Sequence, residues 1–538
     1  MAGTDDRAAE ARATEPASAR ASESAGTPTG RSTCGARQGK GAPVRSRGAG
    51  HVAPPVQRNF LLDFDTLLKV MQLDYVDCAR FVASGYTAFM GRLYTMNPAM
   101  FQSPVACDRR LTQMALHYLS WFQDPAVQLV VGPRASWHVL PCVRLQRLGD
   151  ELWVTEAERG AQLPVGTRIA RVDGRTLDEI RPEIERTLWT TVDPADPERE
   201  DWSLVISFAR DVDVRDDEAP GGLQRVRLVM GDSTVVDRER ARLSLERPDM
   251  LGTRAAALPA LELAVADGIA TLTVRRPGDP TFAVLAERAR EELAACGARG
   301  LVVDVRGAAG GSQQDAYPLV PLVLAPGATA RPAELFGAPG IVLNCSRHNV
   351  EARLAELATL RVRLATDTDA RGVAAGGETS RVADELRELD DLMRELTERK
   401  GAGLVHDDTD FYPDVTFAAA TAADGGPICC GRVVVLCDRG TADAAEWLVR
   451  AARSAGHSLV AGRATRGSLD NTSLRLVRLD DDFAIQVPTA TYAGARGKGA
   501  TLGRGIVPDE HLAWSPAQLV RDEELEAARR LTGMLASA

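Results

Sequence analysis

Lysine is nearly missing from this 538-residue chain. It occurs only at Lys40, Lys69, Lys400 and Lys498, so arginine carries almost all the positive charge. With the abundance of alanine, that usage suggests a GC-rich bacterial genome and weakens any inference from arginine clusters. The nine cysteines contain no C-x-x-C pair, and no cluster with the seven histidines has zinc-ligand spacing. No metal or other cofactor is expected. An odd, unpatterned set of cysteines fits a reducing compartment. No apolar run reaches the roughly 18 residues that a membrane-spanning helix needs. Positive charge is also in deficit. The formal net charge is −10, which argues against nucleic acid or an anionic membrane as partner.

The first 58 residues contain no Leu, Ile, Phe, Tyr or Trp. Such a stretch cannot bury enough apolar surface to offset the entropy of ordering, so a disordered tail over 1–58 is expected. It also has no apolar core of a secretory signal. Either a cytoplasmic protein or a start codon assigned too far upstream follows.

What is present begins at Asn59-Phe60-Leu61-Leu62. Apolar residues at helical spacing over Phe60 to Leu93 and Leu111 to Phe122 predict a helical N-terminal domain over 59–135. A strand over Val127 to Val131 follows. Short β-type runs at Val139 to Leu145, Leu152 to Thr155, Arg168 to Val172, Ser203 to Phe208 and Arg225 to Met230 predict a β-rich module over 136–250. Within it, Leu163-Pro-Val-Gly-Thr-Arg-Ile-Ala-Arg-Val-Asp-Gly174, followed by a helix over Leu177 to Leu188, resembles a PDZ domain. Thr167 stands where that family usually has Asp. From Leu261 strands alternate with helices, which predicts stacked βαβ units in a largely parallel sheet over 251–345 and 426–538. Between these halves, 346–425 reads as a helical insertion. Its apolar stripe Val382, Leu386, Leu389, Met393 and Leu396 suits packing on the core, a lid or a dimer contact.

Three segments resemble the S41 serine peptidases, the tail-specific or C-terminal-processing proteases and their tricorn-like relatives. They are Gly300-Leu-Val-Val-Asp-Val-Arg-Gly-Ala-Ala-Gly-Gly311, Val435-Leu-Cys-Asp-Arg-Gly-Thr-Ala-Asp-Ala-Ala-Glu446, and Val460 to Gly467 with Gly503-Arg-Gly-Ile-Val-Pro-Asp509. The resemblance runs from about Phe60 to the C-terminus. It implies a multidomain α/β fold with a ClpP/crotonase-like βαβ core, preceded by the helical and PDZ-like domains. It also implies an acyl-transfer site at a sharp strand-to-helix turn. The oxyanion hole would be drawn from the backbone N–H groups of Gly310, Gly311 and Ala444.

The match departs from the family at the chemistry. Asp443 occupies the position of the nucleophilic serine. A carboxylate attacking a peptide gives a mixed anhydride that reverts, and it puts negative charge in front of the oxyanion donors. Asp is also favoured at a helix N-terminus, where it is worth about 0.5–2 kcal/mol against Ala. Ser468 stands where the tail-specific branch has its lysine base, and Arg466 cannot replace it because guanidinium does not deprotonate. The run Gly467-Ser-Leu-Asp470-Asn-Thr472 resembles another S41 branch, which often carries a histidine after the first helical domain. Here that place, in Phe122-Gln-Asp-Pro-Ala126, is Ala126. Glu446 and Asp470 remain candidate acid/base or orienting residues. Ser312 or Ser468, with His348, His406 or His457, could form a relocated site.

The expected function is thus an S41 peptidase homologue that holds extended peptides or unfolded protein C-termini by strand addition without cutting them. The alternatives are an active serine peptidase with a relocated serine, and an assembly module that forms a homo-oligomer through the insertion.

Overall fold

The computed structural model describes residues 60–77, separate segments between 115 and 242, and 258–533 with short gaps. Every described residue lies in one compact unit, Gln57–Ala538. The expected tail, the helical run beyond residue 77 up to 114, the strand at Ser203 to Phe208 and residues 181–188 of the expected helix lie outside the described residues.

Helix α1 (Phe60–Leu73) is followed by β1 (Gln128–Val131). Next come β2 (Val143–Leu148), β3 (Glu151–Ala157), β4 (Arg168–Val172), β5 (Glu200–Asp201), β6 (Arg225–Met230) and β7 (Val235–Glu239). These six pair antiparallel in the order β5-β2-β3-β4-β6-β7. Strand β7 falls in a stretch that reads as polar loop, because only Val235-Val236 is apolar there.

The α/β region begins with β8 (Leu261–Ala266), β9 (Ile269–Val274), α2 (Phe282–Cys296) and β10 (Gly300–Asp304). It continues through β11 (Ile341–Asn344), α3 (Arg347–Arg371), α4 (Glu378–Glu398) and β12 (Leu404–Asp407). It closes with β13 (Val433–Cys437), α5 (Asp443–Ala455), β14 (Leu459–Gly462), β15 (Asn471–Arg478), β16 (Phe483–Tyr492), β17 (Glu510–His511) and α6 (Glu523–Gly533).

The central sheet has the order β8-β9-β10-β13-β14-β17, and only the β8–β9 pair is antiparallel. Strands β10 and β13 are near-continuous apolar runs with every residue buried. That texture belongs to a parallel strand covered on both faces. Helix α5 covers one face with Ala445, Leu448 and Ala452, and α6 lies on the other, where Ala528 meets Val434 and Leu436. Arg306 and Arg463 anchor α6. Arg306 pairs with Asp522 at 2.7 Å and Glu524 at 3.0 Å, and Arg463 pairs with Glu524 at 3.0 Å.

A second sheet departs from the expected domain boundaries. The long strand β16 pairs with β1, β11 and β15, and β11 pairs with β12. The β1 segment thus joins a sheet of the core, and β12 draws part of the insertion into the same sheet. The helices α3 and α4 pack together, with Leu357, Leu389 and Leu396 buried against Val405 of β12. Leu389, Met393 and Leu396 of the insertion's apolar stripe are therefore used in packing within the chain.

Candidate active site

The site forms where two loops of the central sheet are stitched together. After β10 the chain turns through Gly307 to Gly311, and after β13 it turns through Asp438 to Ala442 into α5. Asp438 Oδ1 accepts the N–H groups of Gly307 and Gly440, each at 2.8 Å. Thr441 Oγ1 donates to the Val305 carbonyl at 2.9 Å, and the Ala442 N–H donates to the Ala308 carbonyl at 2.9 Å. The approach is close enough that a Cβ on Gly440 would lie 2.7 Å from the Gly307 Cα. Gly310 and Gly311 adopt φ of 86° and 84°. Glycine alone takes that conformation without strain.

Asp443 stands at the corner. It does not cap the helix, contrary to the expectation from its residue type. The N-cap is Ala442, and no side chain caps the helix there. Asp443 itself has φ of 53°. A non-glycine residue held in a sparsely populated region costs on the order of 1–3 kcal/mol. The strain turns the side chain away from its own helix and toward the glycine loop. There Asp443 Oδ2 accepts the Gly310 N–H at 2.8 Å. Gly311 lines the adjoining cavity, whereas Ala444 is buried in the first turn of α5.

The residues behind Asp443 form a closed network. Glu446 is fully buried and accepts four hydrogen bonds. They come from the Thr465 hydroxyl, the Gly467 N–H at 2.8 Å, the Ser468 N–H at 2.8 Å and the Ser468 hydroxyl at 2.9 Å. Burial pushes the Glu446 carboxyl above its ordinary range, and these donors oppose the shift. Ser468 Oγ in turn accepts the Asp443 N–H at 3.0 Å. Its proton goes to Glu446 and its lone pair to Asp443, so Ser468 braces the corner. Asp470 is equally engaged, with the Thr501 N–H at 2.6 Å, the Thr501 hydroxyl at 3.1 Å and the Leu502 N–H. Burial raises its carboxyl as well.

The second wall carries Ala126. Asp124 is buried and accepts from the Tyr75 hydroxyl at 2.9 Å, Asn471 Nδ2 at 2.7 Å and the Ala126 N–H at 2.9 Å. That turn points residue 126 into a cavity of 380 Å³ shared with Asp443, Trp447, Arg466, Ser468 and Tyr492. Three positions singled out in the sequence, 126, 443 and 468, thus line one cleft. No histidine or lysine is among the described residues lining it. His348 instead faces Asp74 across 3.4 Å, His406 lies on β12, and His457 follows the C-terminus of α5. Ser312 caps the next helical turn through Asp315. Among the described residues the relocated histidine arrangement is therefore not assembled at this cleft.

The sequence does not announce strands β15 and β16, and with them Tyr492 and the rim residues Ser473 and Leu474 go unmarked. The alternation in Leu474-Arg475-Leu476 and the apolar triplet Phe483-Ala484-Ile485 are the available signal.

Residues 374–512 match the profile of peptidase family S41. No curated protein matches the chain. Among solved structures, a point variant of CPAF is 12% identical at a TM-score of 0.57, covering 90% of this chain and 98% of its own. Mature CPAF complexed with lactacystin is 11% identical at 0.55, covering 89% and 98%. The photosystem II D1 C-terminal processing protease is 17% identical at 0.38, covering 89% and 98%. In its matched segment this chain is similar to peptidase family S41, and its mixed α/β fold is similar to that of the two CPAF structures.

Proposed function

We propose that this S41 homologue binds extended peptide or protein C-termini in the cleft and does not cleave them. The observation that carries the reading is the bond from the Gly310 N–H to the Asp443 carboxylate. An acyl-transfer site needs that donor for the developing oxyanion. Here a fixed negative charge already holds it. The position is also short of a base, because Ala126 ends in a methyl group and Ser468 is bound on both sides.

Strand β15 supports the binding half of the reading. Among the described residues it pairs only with β16, so its outer edge is open beside the cavity. Leu474, 53% exposed, lines the cavity and Leu476, 56% exposed, follows on the same face. An open edge beside apolar side chains suits an added strand. We further read the antiparallel sheet β2 to β7 as the PDZ-like module and the segment from residue 59 up to β1 as a helical arm of the same design.

Two measurements test this. Fluorophosphonate labelling of the full chain is expected to modify no serine stoichiometrically, and an unstructured fluorogenic peptide is expected to remain intact. Fluorescence anisotropy with unstructured peptides is expected to show saturable binding that Leu474→Asp weakens. Stoichiometric labelling of one serine would instead establish the active-peptidase alternative.

A further inference from the structure

The Asp443 carboxylate is held asymmetrically. Oδ2 sits on the Gly310 N–H, whereas Oδ1 has no hydrogen bond among the described residues. The side chain is half-buried and faces a cavity with an apolar wall at Trp447. The neighbouring carboxylates of Glu446 and Asp470 are saturated by their own donors. Asp443 alone of the three therefore offers a lone pair to the cleft, from a backbone strained to present it.

We propose that Asp443 is a nucleophile toward tetrahedral carbon, and that the cleft forms a covalent ester with small electrophiles of the epoxide or alkyl-halide class. Chemistry at the two kinds of carbon separates this from peptidase action. Attack on a carbonyl develops an oxyanion, and the Gly310 donor for it is occupied. Attack on tetrahedral carbon needs no such donor. The developing charge falls on the leaving atom, and carboxylates are competent covalent nucleophiles in enzymes. Arg466 is placed for that charge, because it lines the same cavity and has no ion pair among the described residues. The volume of 380 Å³ suits a small molecule.

The step balances without a redox partner. For an epoxide, Oδ1 forms a bond to the less hindered ring carbon. That carbon's bond to the ring oxygen breaks, and its electron pair stays on the oxygen. The alkoxide takes a proton from water. For an alkyl halide the electron pair leaves with the halide. No imidazole or amine is among the described lining residues to activate water against the ester. The adduct therefore accumulates once per chain and does not turn over.

The proposal does not rest on peptide binding, and either reading can fail alone. The test is incubation of the full chain with phenyl glycidyl ether, followed by intact mass spectrometry and peptide mapping. One epoxide per chain is expected on the peptide containing Asp443, released by hydroxylamine as an ester. Its rate should exceed that of exposed carboxylates by at least about tenfold, as for a positioned nucleophile. Asp443→Asn should remove it. If that variant does not fold, the mapped position in the wild-type chain decides the matter. Absence of an adduct, or adducts spread over surface carboxylates at a rate that Asp443→Asn leaves unchanged, overturns the proposal.

Discussion

The two walls of the cleft are built alike behind their tips and differ at the tips. On one wall Asp438 and Thr441 fix the strand-to-helix corner, and the tip is a strained, charged Asp443. On the other, Asp124, Tyr75 and Asn471 fix the turn, and the tip is the methyl group of Ala126. In the proposed reading, one tip fills the place of a reaction intermediate and the other leaves space where a base would stand. Buried hydrogen-bond frames and cleft-facing tips therefore answer to different constraints. Loss of a frame leaves buried donors unpaired, whereas a change of tip alters the chemistry and spares the fold.

The largest effect is expected from replacing both tips. Asp443→Ser with Ala126→His should cleave an unstructured fluorogenic peptide at least about 100-fold faster than either single variant, the usual contribution of a positioned base. Equal rates in all three chains would break the proposed pairing of the walls. Asp124→Ala should cost about 3 kcal/mol in urea unfolding, because it strands the Tyr75 and Asn471 donors. A cost near zero would show that the second wall has no frame of its own.

Glu446→Gln should cost about 2 kcal/mol, because the amide turns an N–H₂ toward the donors that now meet carboxylate oxygens. The pH dependence follows from the raised carboxyl of Glu446. Folding then takes up a proton, so the stability linked to this group is full below the ordinary value of 4.5 and declines as pH rises through the folded value. The gap between wild type and Glu446→Gln should therefore narrow above pH 4.5 in unfolding titrations. A gap that widens would reverse the assigned direction. Asp443→Gly should raise stability by about 1 kcal/mol in the same assay, by relieving the left-handed backbone. The smallest effect is reserved for Asp443→Ser alone, which should leave hydrolysis at background. Robust turnover there would show that a base exists which the second wall does not supply.

Much of the central sheet was legible because its signals are local. The runs Leu301-Val-Val and Val433-Val-Val-Leu read as buried strands from composition alone, and Gly310-Gly311 reads as a loop that no other residue could make. The second sheet was legible only at β1, read as a strand from Val127 to Val131, and not in its pairing. Its strands β1, β11, β12, β15 and β16 come from distant segments, and pairing between them leaves no local mark. The family motif, not its residue type, puts Asp443 at the strand-to-helix corner; the residue type suggests a cap, and that part fails because the positive φ carries its carboxylate to another loop.

The amino-acid sequence by itself determined which side chains stand at the tips, an aspartate and an alanine, and which strands must be buried. These depend on residue identity and on short-range patterning. Only the tertiary structure decided that Asp443 takes the Gly310 N–H, that Ser468 and Glu446 lock behind it, and that Ala126 opens onto the same cavity. Those facts depend on which partner each donor meets, and Asp124 and Asn471, for example, meet across 347 positions of chain.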